Sequence, residues 1–332
     1  MKLLFLLAAV IGIASPAAAS DDALTICLDV PAQCLSALDT RVLPQVSGKE
    51  KVIVELDVAS AFAALDETKE ARILTEDADA LLNTLLATDT EIDLQLRDLA
   101  LAWWAIDDVA KARNTLQIAV DHAGKEKRPD LQAFALLNIA VAAIEIQETD
   151  LAAEMEAAAL GLLPVIGADP SFSLMPYPEL LAMTGRHEKA RDVARVMSNP
   201  AIAAFSFSDV LHVAMIQSDL PAAQAAASEL KGLCLGEWWH DIDFDPIIAS
   251  LAIAGYQEAA IDCLNGAAFP TIRMETVDNP NGEIDEQLFY YVLALDAIGR
   301  YADRDRIFLR IHNESWATRA VAKLILRRHG GS

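Results

Sequence analysis

The chain has 332 residues, of which 49 are Asp or Glu and 26 are Lys or Arg, giving a formal net charge of -23. Such an acidic chain has no basic face for nucleic acid or anionic lipid, so both are set aside as partners. Hydrophobic residues make up 54%, which is enough to build a sizeable core in one elongated domain or two compact ones.

The first segment has Lys2, an apolar run from Leu3 to Ile13, and a small-residue exit at Ala17-Ala18-Ala19 before Ser20. This pattern reads as a cleavable secretory signal over 1–19. Its apolar run is too short for a membrane span, which needs about 20 apolar residues, and the richest later run, Leu131 to Ile146, is broken by Gln132, Asn138 and Glu145. A periplasmic or secreted protein is expected, cleaved near Ala19.

Residues 20–50 form a separate N-terminal segment with Cys27 and Cys34; Cys234 and Cys263 complete an even count suited to an oxidising compartment. Of the three pairings, Cys27 with Cys34 and Cys234 with Cys263 is favoured. The first closes a small loop across Pro31, and the second clips neighbouring helices and contributes roughly 3 kcal/mol. The spacings are neither C-x-x-C nor a zinc pattern, so no metal is expected at the thiols.

From residue 51 to the end, Ala and Leu dominate and β-branched runs are short, which favours helix nearly throughout. Leu131, Ala135, Asn138, Ile139, Ala142 and Ile146 fall at three- and four-residue steps, the mark of a helix with one apolar stripe. Seven times, at spacings of 33 to 44 residues, a turn-tolerant residue is followed five positions later by a new apolar face. The pairs are Asp66 with Ala71, Asp107 with Ala112, Glu148 with Ala153, Gly185 with Ala190, Ser218 with Ala223, Gly255 with Ala260, and Gly299 with Arg304. Four positions before each turn stand Phe62, Trp103, Ile144, Leu181, Ala214, Leu251 and Leu295, all apolar. Repetition of this kind predicts helical hairpins that cannot bury their faces alone and must stack.

Two stretches interrupt the pattern. Gly161 to Pro178 and Asn265 to Glu283 are rich in Pro, Gly and Asn and read as long loops, the first of them a candidate division of the array near 161–178. Between them, Glu237-Trp238-Trp239-His240-Asp241-Ile242-Asp243-Phe244-Asp245 pairs aromatics with alternating carboxylates. A calcium loop would place glycine at Pro246 and glutamate at Ala252, so that pattern fails. The favoured account is that the tryptophans fill a groove while Asp243 or Asp245 caps a helix starting near Pro246, with a metal or a sugar platform as the alternatives. The remaining histidines, His122, His187, His212, His312 and His329, share no metal spacing, and His187 is expected exposed in a turn. No nucleophile elbow or phosphate loop is present, and no catalytic residue is assigned. From Arg300 onward eight Lys or Arg stand against three Asp or Glu, which reads first as a cap laid against acidic helices.

The hairpin signature, best in Gly185-Arg186-His187-Glu188-Lys189-Ala190 and Gly255-Tyr256-Gln257-Glu258-Ala259-Ala260, resembles the tetratricopeptide repeat family over roughly Val52 to Ile311. The resemblance implies an all-α fold, an α-solenoid of about seven antiparallel helix pairs. Carried over residue by residue, it places Arg97, Trp104, Asn138, Glu145, Glu179, His212, Met215 and Asp245 on a concave, partner-binding groove. It implies an adaptor that binds a protein or peptide in the cell envelope, with no cofactor and no catalysis. The competing expectation is an envelope glycan-binding protein or hydrolase using residues 237–245. Glu314-Ser315-Trp316 also resembles the start of lytic transglycosylase domains, but too few residues follow for a substrate cleft.

Overall fold

In a computed structural model of the chain, residues 23–86, 92–167, 169–234, 245–266 and 284–330 are described. The signal-like segment and most of the tryptophan-rich stretch at 237–245 lie outside them. All regular structure among the described residues is helical, in 17 α-helices and two short 3-10 turns. In chain order these are α1 (Ala23–Asp29), α2 (Pro31–Arg41), α3 (Gly48–Ala64), α4 (Thr68–Leu85), α5 (Asp93–Ala105), α6 (Val109–Ala123), α7 (Pro129–Glu145), α8 (Thr149–Leu162) and α9 (Tyr177–Met183). They continue with α10 (His187–Arg195), α11 (Pro200–Ile216), α12 (Leu220–Leu233), α13 (Asp245–Ile253), α14 (Gln257–Gly266), α15 (Asp285–Ala297), α16 (Tyr301–Phe308) and α17 (Glu314–His329).

The helices pair as antiparallel hairpins because seven junctions end in the same way. Asp66, Asp107, Gln147, Gly185, Ser218, Gly255 and Gly299 all take positive φ. That left-handed step lets the next residue's N–H reach back to the carbonyl four positions before the step: Arg186 donates to Leu181 O at 2.8 Å and Tyr256 to Leu251 O at 2.8 Å. The chain reverses there with its last helical carbonyls satisfied. The third junction corrects the sequence register by one residue. Gln147, not Glu148, is left-handed; Glu148 N donates to Ala143 O at 2.7 Å, and Ala152 is buried while Ala153 faces solvent.

Burial separates the two helices of a hairpin. In α7 ten residues are buried, Ala133 to Ala143 nearly without interruption, because neighbours cover it on several sides. Its partner α8 buries only Ala152, Met155 and Ala159, the single stripe expected of an outer helix. The first helices α5, α7, α9, α11 and α13 pack on one another in sequence. At the junctions before the last, a small residue, among them Ala71, Ala112, Ala190, Ala223 and Ala260, is buried. Arg304 holds the same place in the last hairpin and is also buried, at 1% exposure.

The described helices fall into two compact units. One contains α5 to α14; the other joins α1 to α4 with α15 to α17, from opposite ends of the sequence. The stretch 161–178 lies inside the first of these units. There the Asp169 carboxylate accepts from Ser171 N at 3.0 Å, Ser198 N donates to Ser171 Oγ at 3.0 Å, and Phe172 stacks on Phe134 with centroids 4.7 Å apart.

In the unit made from both ends, α17 packs on α3. Asp57 takes Arg319 Nε at 2.8 Å and Lys323 Nζ at 2.7 Å, and the two cations hold its carboxyl below the ordinary range in spite of its burial. Arg327 donates to Leu293 O at 2.8 Å. The basic tail thus docks on acidic helices of its own unit, the capping arrangement anticipated above. The buried Arg304 gives Nη1 to Asp296 at 2.6 Å, Nε to Asp305 at 2.7 Å and Nη2 to Thr25 Oγ1 at 2.7 Å, so α1 lies across it.

Both favoured disulfides are present. Cys27–Cys34 ties α1 to α2 with Cα atoms 5.4 Å apart, and Cys234–Cys263 ties the end of α12 to α14 at 4.9 Å. No helix among the described residues is long and apolar enough to cross a membrane.

Candidate functional site

The most concentrated polar chemistry lies on the successive first helices α5, α7, α9 and α11. Asn138 and Asp209 occupy equivalent places relative to their turns, as do Glu179 and His212, and Trp104 and Met215. These positions recur at three- or four-residue steps and so share one stripe of each helix. The stripe carries polar groups together with the half-buried Trp104 and Met215.

Arg97 on α5 is the hub. Its Nη1 donates to Asn138 Oδ1 of α7 at 2.7 Å, while Nε and Nη2 donate to Asp98 Oδ1 at 2.9 and 2.7 Å. Asn138 is oriented for this by its own amide, which donates to Phe134 O at 3.0 Å and leaves Oδ1 facing the guanidinium. Burial works against the charge on Arg97, but Asp98, Glu179 and Glu145 together hold it above its usual value.

Three carboxyls from three helices share that one cation. Burial, reinforced by the charge of Glu179 and opposed by Arg97, pushes Glu145 up to about 7. Burial raises Glu179 as well, again against Arg97. Asp209 is raised well above the usual carboxylate range by burial and by Glu179. Glu145 nonetheless keeps an exposed edge, and Glu179 and Asp209 are half-buried. In such dense protein surroundings close carboxylates resist ionising together.

Of the residues expected on the groove, Arg97, Asn138, Glu145 and Glu179 come together. Trp104 is half-buried at the end of α5, Met215 is half-buried on α11, and His212 is exposed on the same helix. Asp245 begins α13, but its side chain lies outside the described residues. Sequence reasoning missed Asp98 and Asp209. Asp209 was within reach, because it stands where Asn138 stands in the preceding long hairpin.

Other candidates resolve into structure. His187 is not exposed: it is buried, with Nε2 2.9 Å from Gln217 Oε1. His122 Nδ1 lies 2.7 Å from Asp93 Oδ1. Glu314-Ser315-Trp316 is the first turn of α17, where Asn313 Oδ1 accepts from Ser315 N at 2.8 Å and Trp316 N at 3.3 Å, a helix cap. Among the described residues no group of His, Cys, Asp and Glu has the geometry to hold a metal ion. No protein-family model, no curated protein and no solved structure matches the chain.

Proposed function

We propose that the chain is an exported, tetratricopeptide-like adaptor of the α-solenoid type, whose seven hairpins act as repeats and whose polar stripe on α5, α7, α9 and α11 binds an extended segment of a partner protein. The observation that carries this reading is the convergence of Arg97, Asn138, Glu145, Glu179 and Asp209 from four successive helices onto one solvent-reaching surface. A row of helices offers a peptide evenly spaced polar contacts, and the surplus of carboxyls over the single guanidinium selects for Lys or Arg side chains. The two disulfides fit an oxidising compartment. Binding rather than catalysis is proposed, since Arg97 and Asn138 are engaged with each other and with Asp98 rather than poised over a reaction centre.

The test is fluorescence anisotropy of the mature protein with labelled extended peptides of matched length, basic, neutral and acidic. Basic peptides bind best, and Glu179→Gln with Asp209→Asn weakens them about tenfold, equivalent to about 1.4 kcal/mol. Binding indifferent to both substitutions overturns the assignment of this surface.

A further inference from the structure

Away from that surface, α3 carries a buried acid that the adaptor reading does not use. Glu55 is 1% exposed. Its Oε1 is 3.4 Å from Lys51 Nζ, one turn earlier on the same helix, while Oε2 is buried with no hydrogen-bond partner. Two further carboxyls act on it electrostatically from neighbouring elements, Asp77 from α4 and Asp39 from α2. The other elements packed on α3 add no charge there: α17 spends Arg319 and Lys323 on Asp57, and the 3-10 turn Leu43–Gln45 has no ionisable side chain. Three carboxyls from three helices therefore face one ammonium, and the most deeply buried of them has an oxygen left bare.

We propose that Glu55 is the trigger of a proton-operated latch that seats α2, and the turn that follows it, on α3. With Glu55 protonated, its carboxyl is neutral beside Asp39 and Asp77, and the bare oxygen costs little. Once it ionises, Lys51 meets only one of its oxygens, and the other carries charge with an unmet hydrogen bond beside two like charges, a cost that the single ion pair offsets only in part. The cheapest relief is water entering beside Asp39. Of the elements involved, α2 yields first, because it meets α3 over a short stretch, whereas α3 and α4 are long helices joined as a hairpin. Burial, with Asp77 and Asp39 added and Lys51 opposing, lifts Glu55 to about 7, so the change falls near neutrality. Asp39 is itself raised by burial and by Asp77. Meanwhile α1 stays anchored at Arg304 through Thr25, so α2 loosens on a tether rather than departing.

The sign is fixed by linkage. The folded chain holds a proton on Glu55 that the unfolded chain, titrating at its ordinary 4.5, has already released. Stability from this site is therefore greatest at low pH, declines as pH rises from about 4.5 to about 7, and levels off above that.

Hydrogen exchange of the full, disulfide-intact chain at pH 6 and pH 8, with protection corrected for the intrinsic exchange rate, tests the latch. Protection of α2 amides is expected to fall by up to about tenfold, the equivalent of one pKa unit, while that of α7 holds. Glu55→Gln removes the drop, and Asp39→Asn reduces it. Protection of α2 that is equal at the two pH values, or an undiminished drop in Glu55→Gln, overturns the proposal. Should Glu55→Gln fail to fold, an undiminished drop in Asp39→Asn does so.

Discussion

A guanidinium needs more room and more acceptors than a methyl group, and Arg304 obtains both from Asp296, Asp305 and Thr25 at a junction where other hairpins carry alanine. Its removal leaves two carboxyls facing each other in a cavity. Arg304→Ala is accordingly expected to cost about 3–5 kcal/mol, as when one partner of a buried pair is deleted, measured as a lowered urea midpoint. A loss below about 1 kcal/mol would show that water replaces the guanidinium. The sequence showed that Arg304 sits in the alanine register, but not that it is buried, because two of its acceptors come from α15 and, 279 residues away, from α1. The groove divides along similar lines. Arg97, Asn138, Glu145 and Glu179 could be placed by register alone. The pairing of Arg97 with Asn138 depends on neighbouring helices, and so Asp98 gains its role only in the folded chain, whereas Asp209 shares the register of Asn138. His187 follows the same logic, since the Gln217 that buries it belongs to the next hairpin.

At the scale of elements, the left-handed turn was the most legible feature, because glycine, aspartate and serine tolerate it for local reasons. The single slip, at 147 and 148, arose where two ordinary residues adjoin and nothing local chooses between them. Those seven turns give an unusually clean comparison. At Gly255, with φ of 84°, an added Cβ would meet nothing within 4 Å, so the cost of Gly255→Ala is conformational alone, about 1 kcal/mol. Gln147, at φ of 65°, is the converse case, and Gln147→Gly is expected to stabilise by up to about 1 kcal/mol, less what the freer unfolded chain takes back. Paired thermal melts would check both signs together. Equal effects of the two changes would mean that the turns are not strained.

For the whole molecule, helix content could be read from composition, whereas the grouping of helices into units could not. The Ser171, Ser198 and Phe172 contacts tie the proline-rich stretch 161–178 to the helices around it, which its composition does not announce. Nothing local announces that α17 belongs with α3, because the ion pair between Arg319 and Asp57 spans 262 residues. The Cys234–Cys263 bridge, in contrast, closes a separation of only 29 residues inside one unit. Replacing both cysteines with alanine is expected to remove about 3–4 kcal/mol by the loop-entropy estimate, read as a lowered urea midpoint. Because that entropy belongs to the denatured chain, which expands once the bridge is gone, the slope is expected to stay the same or steepen; an unchanged midpoint would overturn the estimate.

Because α3 waits for α17, synthesis has a built-in order. The stretch from α5 to α14 can gather its neighbours as it emerges, while α3, though paired with α4, keeps the face that α17 covers open until that helix is made. For that interval the earliest helices are the most vulnerable to proteases and to sticking, and a holding chaperone would find its substrate there rather than in the middle of the chain.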